Sequence, residues 1–116
     1  MSHKKVVSEE LAKLFNALSH PDRIRILEEL RGNDRDVQTL SDELDLSQSR
    51  VSQHLATLRS LRLVKDERDG KRHIYTLANP AVADWVLDGV KFTELGMLDS
   101  KSFDQAVKKA VRMWKH

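Results

Sequence analysis

The chain has 116 residues, 40% hydrophobic and 33% charged, with a net charge of +2 and no cysteine. That length and balance suit a single domain, 1–116, with a modest core, and the short apolar runs fall far below the ~20 residues of a membrane span. Absence of cysteine removes disulfides, thiol redox chemistry and thiolate metal sites.

Residues 1–7 read as a short polar tail, with no sustained apolar segment of a signal peptide behind Met1-Ser2-His3-Lys4-Lys5. A cytoplasmic location is the expectation. Ser8 is placed to cap a first helix. Leu11, Leu14, Phe15 and Leu18 then recur at helical spacing and form an apolar stripe, suited to a core or to a dimer contact. Ser19-His20-Pro21 closes that helix and opens the next, because proline fits a first helical turn. Ile24, Leu27 and Leu30, with Ile26, give the second helix its buried side, and Gly32 offers a left-handed cap after it. Asp36 caps a short third helix with Val37, Leu40 and Leu44 inward.

Asp45-Leu46-Ser47-Gln48 is a tight connection, and Ser47 the cap of a helix over 47–61. Val51, Leu55 and Leu58 line one face of it. At about 100° per residue, Gln53 and Ser60 fall opposite. Ser49 and Ala56 lie to one side of them, Arg50 and Thr57 to the other, and His54 beside the apolar stripe. Small hydroxyl and amide side chains donate and accept hydrogen bonds, as base edges in a major groove require. A short helix, a tight turn and such a helix make a helix-turn-helix pattern. Residues 47–75 hold seven Lys/Arg against three Asp/Glu, a local basic excess on a near-neutral chain.

Asp69-Gly70 marks a hairpin turn between arms carrying Leu63 and Val64 on one side and Ile74, Tyr75 and Leu77 on the other. A two-stranded ribbon directly after a reader helix is a wing. Arg68, Lys71 and Arg72 cluster at its tip, with His73 below, in position for phosphate or minor-groove contact. Asn79 and Pro80 cap and start another helix, apolar on more than one side: Val82, Val86 and Val90, then Ala83, Trp85 and Leu87, extended by Phe92, Leu95, Met97 and Leu98. One side suits its own domain and the other a second subunit. Gly96 and Asp99-Ser100 break the helix. Ser102-Phe103-Asp104-Gln105 forms a capping box for a last helix with Phe103, Ala106, Val107, Ala110 and Trp114 on a stripe. No Gly-rich phosphate loop, no nucleophile with a spaced base and no metal-ligand set stands out, so the chain does not read as an enzyme and no cofactor is expected.

Ala17-Leu18-Ser19-His20-Pro21-Asp22-Arg23-Ile24-Arg25-Ile26-Leu27 resembles the opening signature of the ArsR/SmtB family of winged-helix repressors. Leu46 to Leu55 resembles its recognition helix, and Leu63 to Leu77 its wing. The resemblance covers about residues 9–80, with the three motifs in order. It implies a mainly α winged helix-turn-helix with a β-hairpin wing, a core over 9–78 and dimerisation helices over 80–115. It also implies a homodimeric repressor on double-stranded DNA. By that resemblance Gln48, Ser49, Ser52 and Gln53 face bases or nearby phosphates, Arg50 and Thr57 flank them, and Arg68, Lys71 and Arg72 touch the backbone. Leu11, Leu14, Phe15, Trp85, Val86 and Val90 then belong to the dimer interface. A two-fold dimer reads an imperfect palindrome with half-sites about 34 Å apart.

The departures concern regulation. Where metal-sensing members carry a Cys pair this chain has Val37-Gln38-Thr39. After the wing it offers Asp84, Asp88 and Glu94 without histidine, a poor transition-metal set. No metal site is assigned, and the effector, a small molecule, a partner protein or none, is left open. Two alternatives stand beside this: a winged helix that binds protein, and a metal-responsive repressor with a His-based site. The five histidines, His3, His20, His54, His73 and His116, are scattered, and His3 and His116 are the pair that could converge in a dimer.

Overall fold

A computed structural model describes the backbone of residues 2–96 and 101–115, and the side chains of 2–93 and 105–113. The elements run α1 (His3–Ala17), α2 (Pro21–Glu29), β1 (Arg35–Asp36), α3 (Val37–Leu44), α4 (Gln48–Ser60), β2 (Val64–Asp69), β3 (Arg72–Leu77), α5 (Ala81–Gly96) and α6 (Lys101–Lys115). They group into two compact units, Met1–Asn79 and Pro80–His116. No helix among the described residues is long and apolar enough to cross a membrane.

The first unit is a helical cluster closed by a small sheet. Ile26, Leu27 and Leu30 from the α2 segment, Leu40 and Leu44 from α3, and Val51, Leu55 and Leu58 from α4 are all buried, with Val64 and Leu77 closing the core from the strands. Fully burying a side chain of this size contributes about 1.5–3 kcal/mol each, so these three helices carry most of the unit's stability. Asp36 and Ser47 act as the expected N-caps, accepting from the Thr39 and Arg50 amides at 2.8 and 3.1 Å. Between α3 and α4 the chain reverses through Asp45, whose φ of 54° is left-handed, a conformation Asp tolerates better than most residues. The Leu46 amide reaches back to the Ser41 carbonyl at 3.1 Å, and the Ser41 hydroxyl donates to the Leu46 carbonyl. Arg25 donates to the Leu44 carbonyl at 3.0 Å and so completes the end of α3 from outside.

The wing is one strand wider than the sequence suggests. The sheet order is β1-β3-β2, all antiparallel, with Arg35 opposite Tyr75 and Asp36 opposite Ile74. A two-residue strand gives no periodic signal, so β1 was invisible to patterning. The β2–β3 register pairs Val64 with Leu77 and Asp69 with Arg72. The turn is therefore Gly70-Lys71, one residue later than Asp69-Gly70, with Gly70 at φ 64° in the first central position.

Two corrections fall at the amino end. Residues 3–7 are helical, not a tail, and Ser8 lies inside α1, where its hydroxyl donates to the Lys4 carbonyl at 2.8 Å. Ala17 is the buried residue of α1, whereas Leu11 and Phe15 stay 43% and 52% exposed.

In the second unit α5 begins at Ala81, just after Pro80, and ends at Gly96. Met97, Leu98, Asp99 and Ser100 lie outside the described residues. Helix α6 starts at Lys101, so Ser102 is within its first turn and not before it. Of the stripe assigned to α6, Val107 is buried, Ala110 is half-buried and Ala106 is exposed. The side chains of Phe103 and Trp114 are not among those described. Leu87, Val90, Val107 and Val111 line a cleft of about 650 Å³ between α5 and α6, with Asp88, Lys91, Lys108 and Arg112 also lining it.

Glu28 on α2 is half-buried, and that burial raises its carboxyl to about 7, against a partial pull from Arg31. A folded Glu28 keeps its proton where an unfolded one, near 4.5, has lost it. Stability is thus lost as pH rises from 4.5 through about 7. Glu28→Gln should gain on the parent in urea unfolding as pH goes from about 5 to about 8; a gap that stays constant would show that no such penalty exists.

Candidate nucleic-acid interface

Helix α4 presents two faces because its apolar residues recur at helical spacing. Val51, Leu55 and Leu58 are 0% exposed, which fixes the rotation of the helix about its axis. Ser49, Ser52 and Gln53 are then exposed, and their side chains take no hydrogen-bond partner among the described residues. Gln48 is exposed but not free, because its amide donates to Gln38 Oε1 at 2.6 Å, and Gln38 in turn donates to Asp42. Thr57 is half-buried and its hydroxyl donates to the Gln53 carbonyl at 3.3 Å. Hydroxyls and amides left open on one face are groups suited to base edges.

The cations expected at the wing divide in two. Arg68 and Lys71 are exposed and have no ion-pair partner among the described residues. Arg72 is held instead by Asp36, with its Nε 2.9 Å from Oδ2. Hydrogen bonds to Asp36 from Thr39 and then from Arg72 lower its carboxyl to about 2. Asp36 thus caps α3 and ties the wing to it, a double duty the sequence did not reveal. Further down the ribbon His73 and Arg59 both reach Asp66, at 3.0 and 3.3 Å, and the His73 contact is the larger cause of that carboxyl's lowered pKa.

A second cluster joins the α2 end to α4 and was missed in the sequence. Asp22, in the first turn of α2, is buried. Its Oδ2 lies 2.7 Å from Arg50 Nη2 and 3.6 Å from His54 Nε2. Arg25 Nη1 stands 3.9 Å from Oδ1. The imidazoles of His20 and His54 are 4.4 Å apart between centroids. His20 caps α2, its Nδ1 accepting from the Asp22 amide at 3.3 Å, and His54 Nδ1 accepts from Arg23 Nε at 3.2 Å. Burial, then His20 and Arg23, hold the His54 pKa below its usual 6.5, with Asp22 pulling the other way. The available signal was the i, i+4 pair Arg50 and His54, both on the flank of α4 beside the apolar stripe.

His20, Asp22 and His54 also bring ligand-type atoms within 4.8 Å of one another. Both Nδ1 atoms already accept hydrogen bonds, which leaves the proton on Nε2 in each neutral ring. Three guanidiniums, Arg23, Arg25 and Arg50, stand around the one carboxylate or its histidine partner. A cation would have to displace two of these bonds within a positive field, so the donor set fits an internal network better than a metal.

Of the residues assigned to a dimer contact, Leu11 and Phe15 are exposed and Leu14 half-buried on α1. On α5 Trp85 is 43% exposed while Val86 and Val90 are half-buried.

The profile described as "Bacterial regulatory protein, arsR family" matches residues 20–66. The chain is 45% identical over 74 residues to the uncharacterized HTH-type transcriptional regulator Rv0081 of Mycobacterium tuberculosis, a match covering 63% of this chain and 65% of that protein. It is 39% identical over 84 residues to the HTH-type transcriptional repressor SmtB of the same organism, covering 72% of this chain and 62% of the repressor. The chain thus spans somewhat under two thirds of the length of these relatives. The crystal structure of Rv0081 superposes with a TM-score of 0.70 at 36% identity, over 78% of this chain and 92% of that one. A homodimeric winged helix-turn-helix DNA-binding domain from Mycobacterium bovis, solved by NMR, gives a TM-score of 0.66 at 25% identity, over 77% and 88%.

Removing the shared carboxylate separates its two duties from the rest of the fold. Asp36→Ala should cost about 1 kcal/mol through the lost cap, read by chemical denaturation near neutral pH. A folded carboxyl near 2 against 3.8 unfolded contributes stability above 3.8 that is lost as pH falls toward 2. The gap to the parent should narrow over that window; a gap that is flat with pH would mean the carboxylate's charge contributes nothing.

Proposed function

The chain belongs to the ArsR family of bacterial regulatory proteins, and on that premise we propose that it is a homodimeric, cytoplasmic repressor of transcription. It is a winged helix-turn-helix regulator by membership and fold. Beyond that, each subunit lays α4 in a major groove and sets its hairpin, residues 63–77, on the adjacent backbone. Two such subunits read an imperfect palindrome with half-sites about one helical turn apart.

One observation carries the proposal: the open, partnerless face of Ser49, Ser52 and Gln53 on a helix whose rotation is fixed by three fully buried residues. Unpaired Arg68 and Lys71 at the ribbon tip supply charge for phosphates. The division suits a protein that positions itself by phosphates and specifies by base edges. Dimer formation is supported by the apolar residues left exposed on α1, Val6, Val7, Leu11 and Phe15, and by the homodimeric state of the M. bovis domain. Repression is supported by the likeness to a repressor. In this role the protein has no catalytic task, and its effector, a small molecule, a partner protein or none, is left open.

Gel-shift titrations over a range of salt, on DNA selected from a randomised pool, test the division of labour. Arg68→Ala or Lys71→Ala should weaken selected and random DNA alike and lower the slope of log K against log salt by about one. Gln53→Ala should change base preference and leave that slope alone. Identical behaviour of the two kinds of variant would sink the assignment of α4 as reader.

A further inference from the structure

The polar seam between α2 and α4 raises a question about Arg50. Resting on the placement of α4 in a major groove, we propose that Asp22 is a positioning residue that braces Arg50 as a reader of guanine, and that Arg50 is not a phosphate contact.

Asp22 is the charged residue classed as buried among the described residues, and its side chain is 12% exposed. Arg50 is 57% exposed, with Nη2 bonded to Asp22 Oδ2 at 2.7 Å. A guanidinium has five N–H donors in a planar fork. With Nη2 held from behind, the rest of the fork stays available. Arg50 lies in the first turn of α4, and the amino-terminal residues of a reader helix are those that meet base edges.

Electrostatics decides between base and phosphate. A carboxylate 2.7 Å from the guanidinium offsets most of its charge and repels a phosphate brought to the same place. Such a pair releases few counterions, so it is a poor device for backbone affinity. What it keeps is geometry. An arginine side chain carries about 2 kcal/mol of rotamer freedom, and a tether that already restrains it reduces what binding must freeze. The bidentate match of a fixed fork to guanine O6 and N7 is the commonest specific contact in a major groove.

The rest of the seam locks the brace. Asp22 is faced from its own segment by His20, whose Nδ1 is 4.0 Å from Oδ2, and by Arg25 at 3.9 Å. From α4 it is faced by Arg50 and His54, and Arg23 fixes His54 through Nδ1. His20 Nδ1 accepts from the Asp22 amide and so adds no pull on the carboxylate; its restraint comes from Arg50 and His54 on Oδ2 and Arg25 beside Oδ1.

The experiment uses the full chain and DNA selected from a randomised pool, with every half-site position varied singly, across salt. Arg50→Lys keeps the charge and loses the fork. It should lose discrimination for guanine at one position per half-site by about tenfold or more, with preferences elsewhere intact. Arg50→Ala should lose the same discrimination with the salt slope nearly unchanged. Asp22→Asn unmasks the guanidinium charge: random DNA should bind more tightly, the salt slope should steepen by about one, and guanine discrimination should fall. The double variant Asp22→Asn with Arg50→Ala should lose no more discrimination than Arg50→Ala alone.

A merely structural Asp22 would instead weaken binding to every sequence and lower the unfolding midpoint, and that result overturns the proposal. So does an Arg50→Ala variant whose salt slope drops by about one with all sequences weakened equally, since that marks a phosphate contact. If Arg68→Ala and Gln53→Ala still behave as reader and wing residues should, only the brace has failed. If they do not, the placement of α4 has failed with it.

Discussion

Everything proposed for the reader helix depends on its rotational phase. Val51, Leu55 and Leu58 sit at spacings of four and three and are wholly removed from water. Turning α4 by one residue, about 100°, would expose part of that stripe and bury a glutamine or serine without a partner. Each buried aliphatic side chain exposed would cost about 1.5–3 kcal/mol, and an orphaned amide about as much again. The phase of the outer face is thus set by the inner one. The small polar residues need no interactions of their own to be held in place, and none are seen for Ser49, Ser52 or Gln53 among the described residues.

Phase alone does not fix tilt, and here the polar contacts take over. At the front of α4 the Ser47 cap and the left-handed Asp45 hold the entry of the chain. On one flank Gln48 is tied to Gln38 of α3. On the other, Arg50 and His54 are tied to Asp22 of α2. At the far end Arg59 is tied to Asp66 of β2. Exposed ion pairs are worth little in stability, and here the arginines Arg50 and Arg59 are largely open to water while Asp22, His54 and Asp66 are mostly covered. Their effect is directional: they select one of several packings that the apolar core would tolerate.

Most of this was legible from residue patterns, and the misses share a cause. Helices with apolar residues at spacings of three and four, Val37 to Leu44 and Ser47 to Leu61, declare themselves because burial imposes their period. Asp36 and Ser47 could be named as caps because a short oxygen-bearing side chain before an apolar run has few other uses. Strand β1 could not, being two residues long. Nor could the pairing of Arg72 with Asp36 or of Arg50 with Asp22, 36 and 28 residues apart. Side-chain pairs between distant segments leave no periodic trace in a sequence. At the amino end, the polar residues before Ser8 hid a helix that an exposed, weakly amphipathic segment does not announce.

These distant pairs change what the basic excess over residues 47–75 means. Taken as a sum, seven cations against three acids suggest a broad attraction to phosphate. Resolved into partners, the excess splits. Arg50, Arg59 and Arg72 are each bonded to a carboxylate of another element and serve as struts. Arg62 and Lys65 near the start of β2, and Arg68 and Lys71 at the ribbon tip, carry no such partner among the described residues. Charge that is paired at short range contributes little to a field felt across a Debye length of about 8 Å, so any long-range attraction rests on the four cations without such a partner, Arg62, Lys65, Arg68 and Lys71, less the exposed Glu67 and Asp69 beside them. In the proposed role, backbone contacts from Arg68 and Lys71 and a face on α4 made of Ser49, Ser52, Gln53 and an Arg50 neutralised by Asp22 allow affinity and specificity to be tuned on separate residues. That separation follows from where the carboxylates Asp22, Asp36 and Asp66 stand, and so it is the acids, more than the cations, that shape the proposed interface.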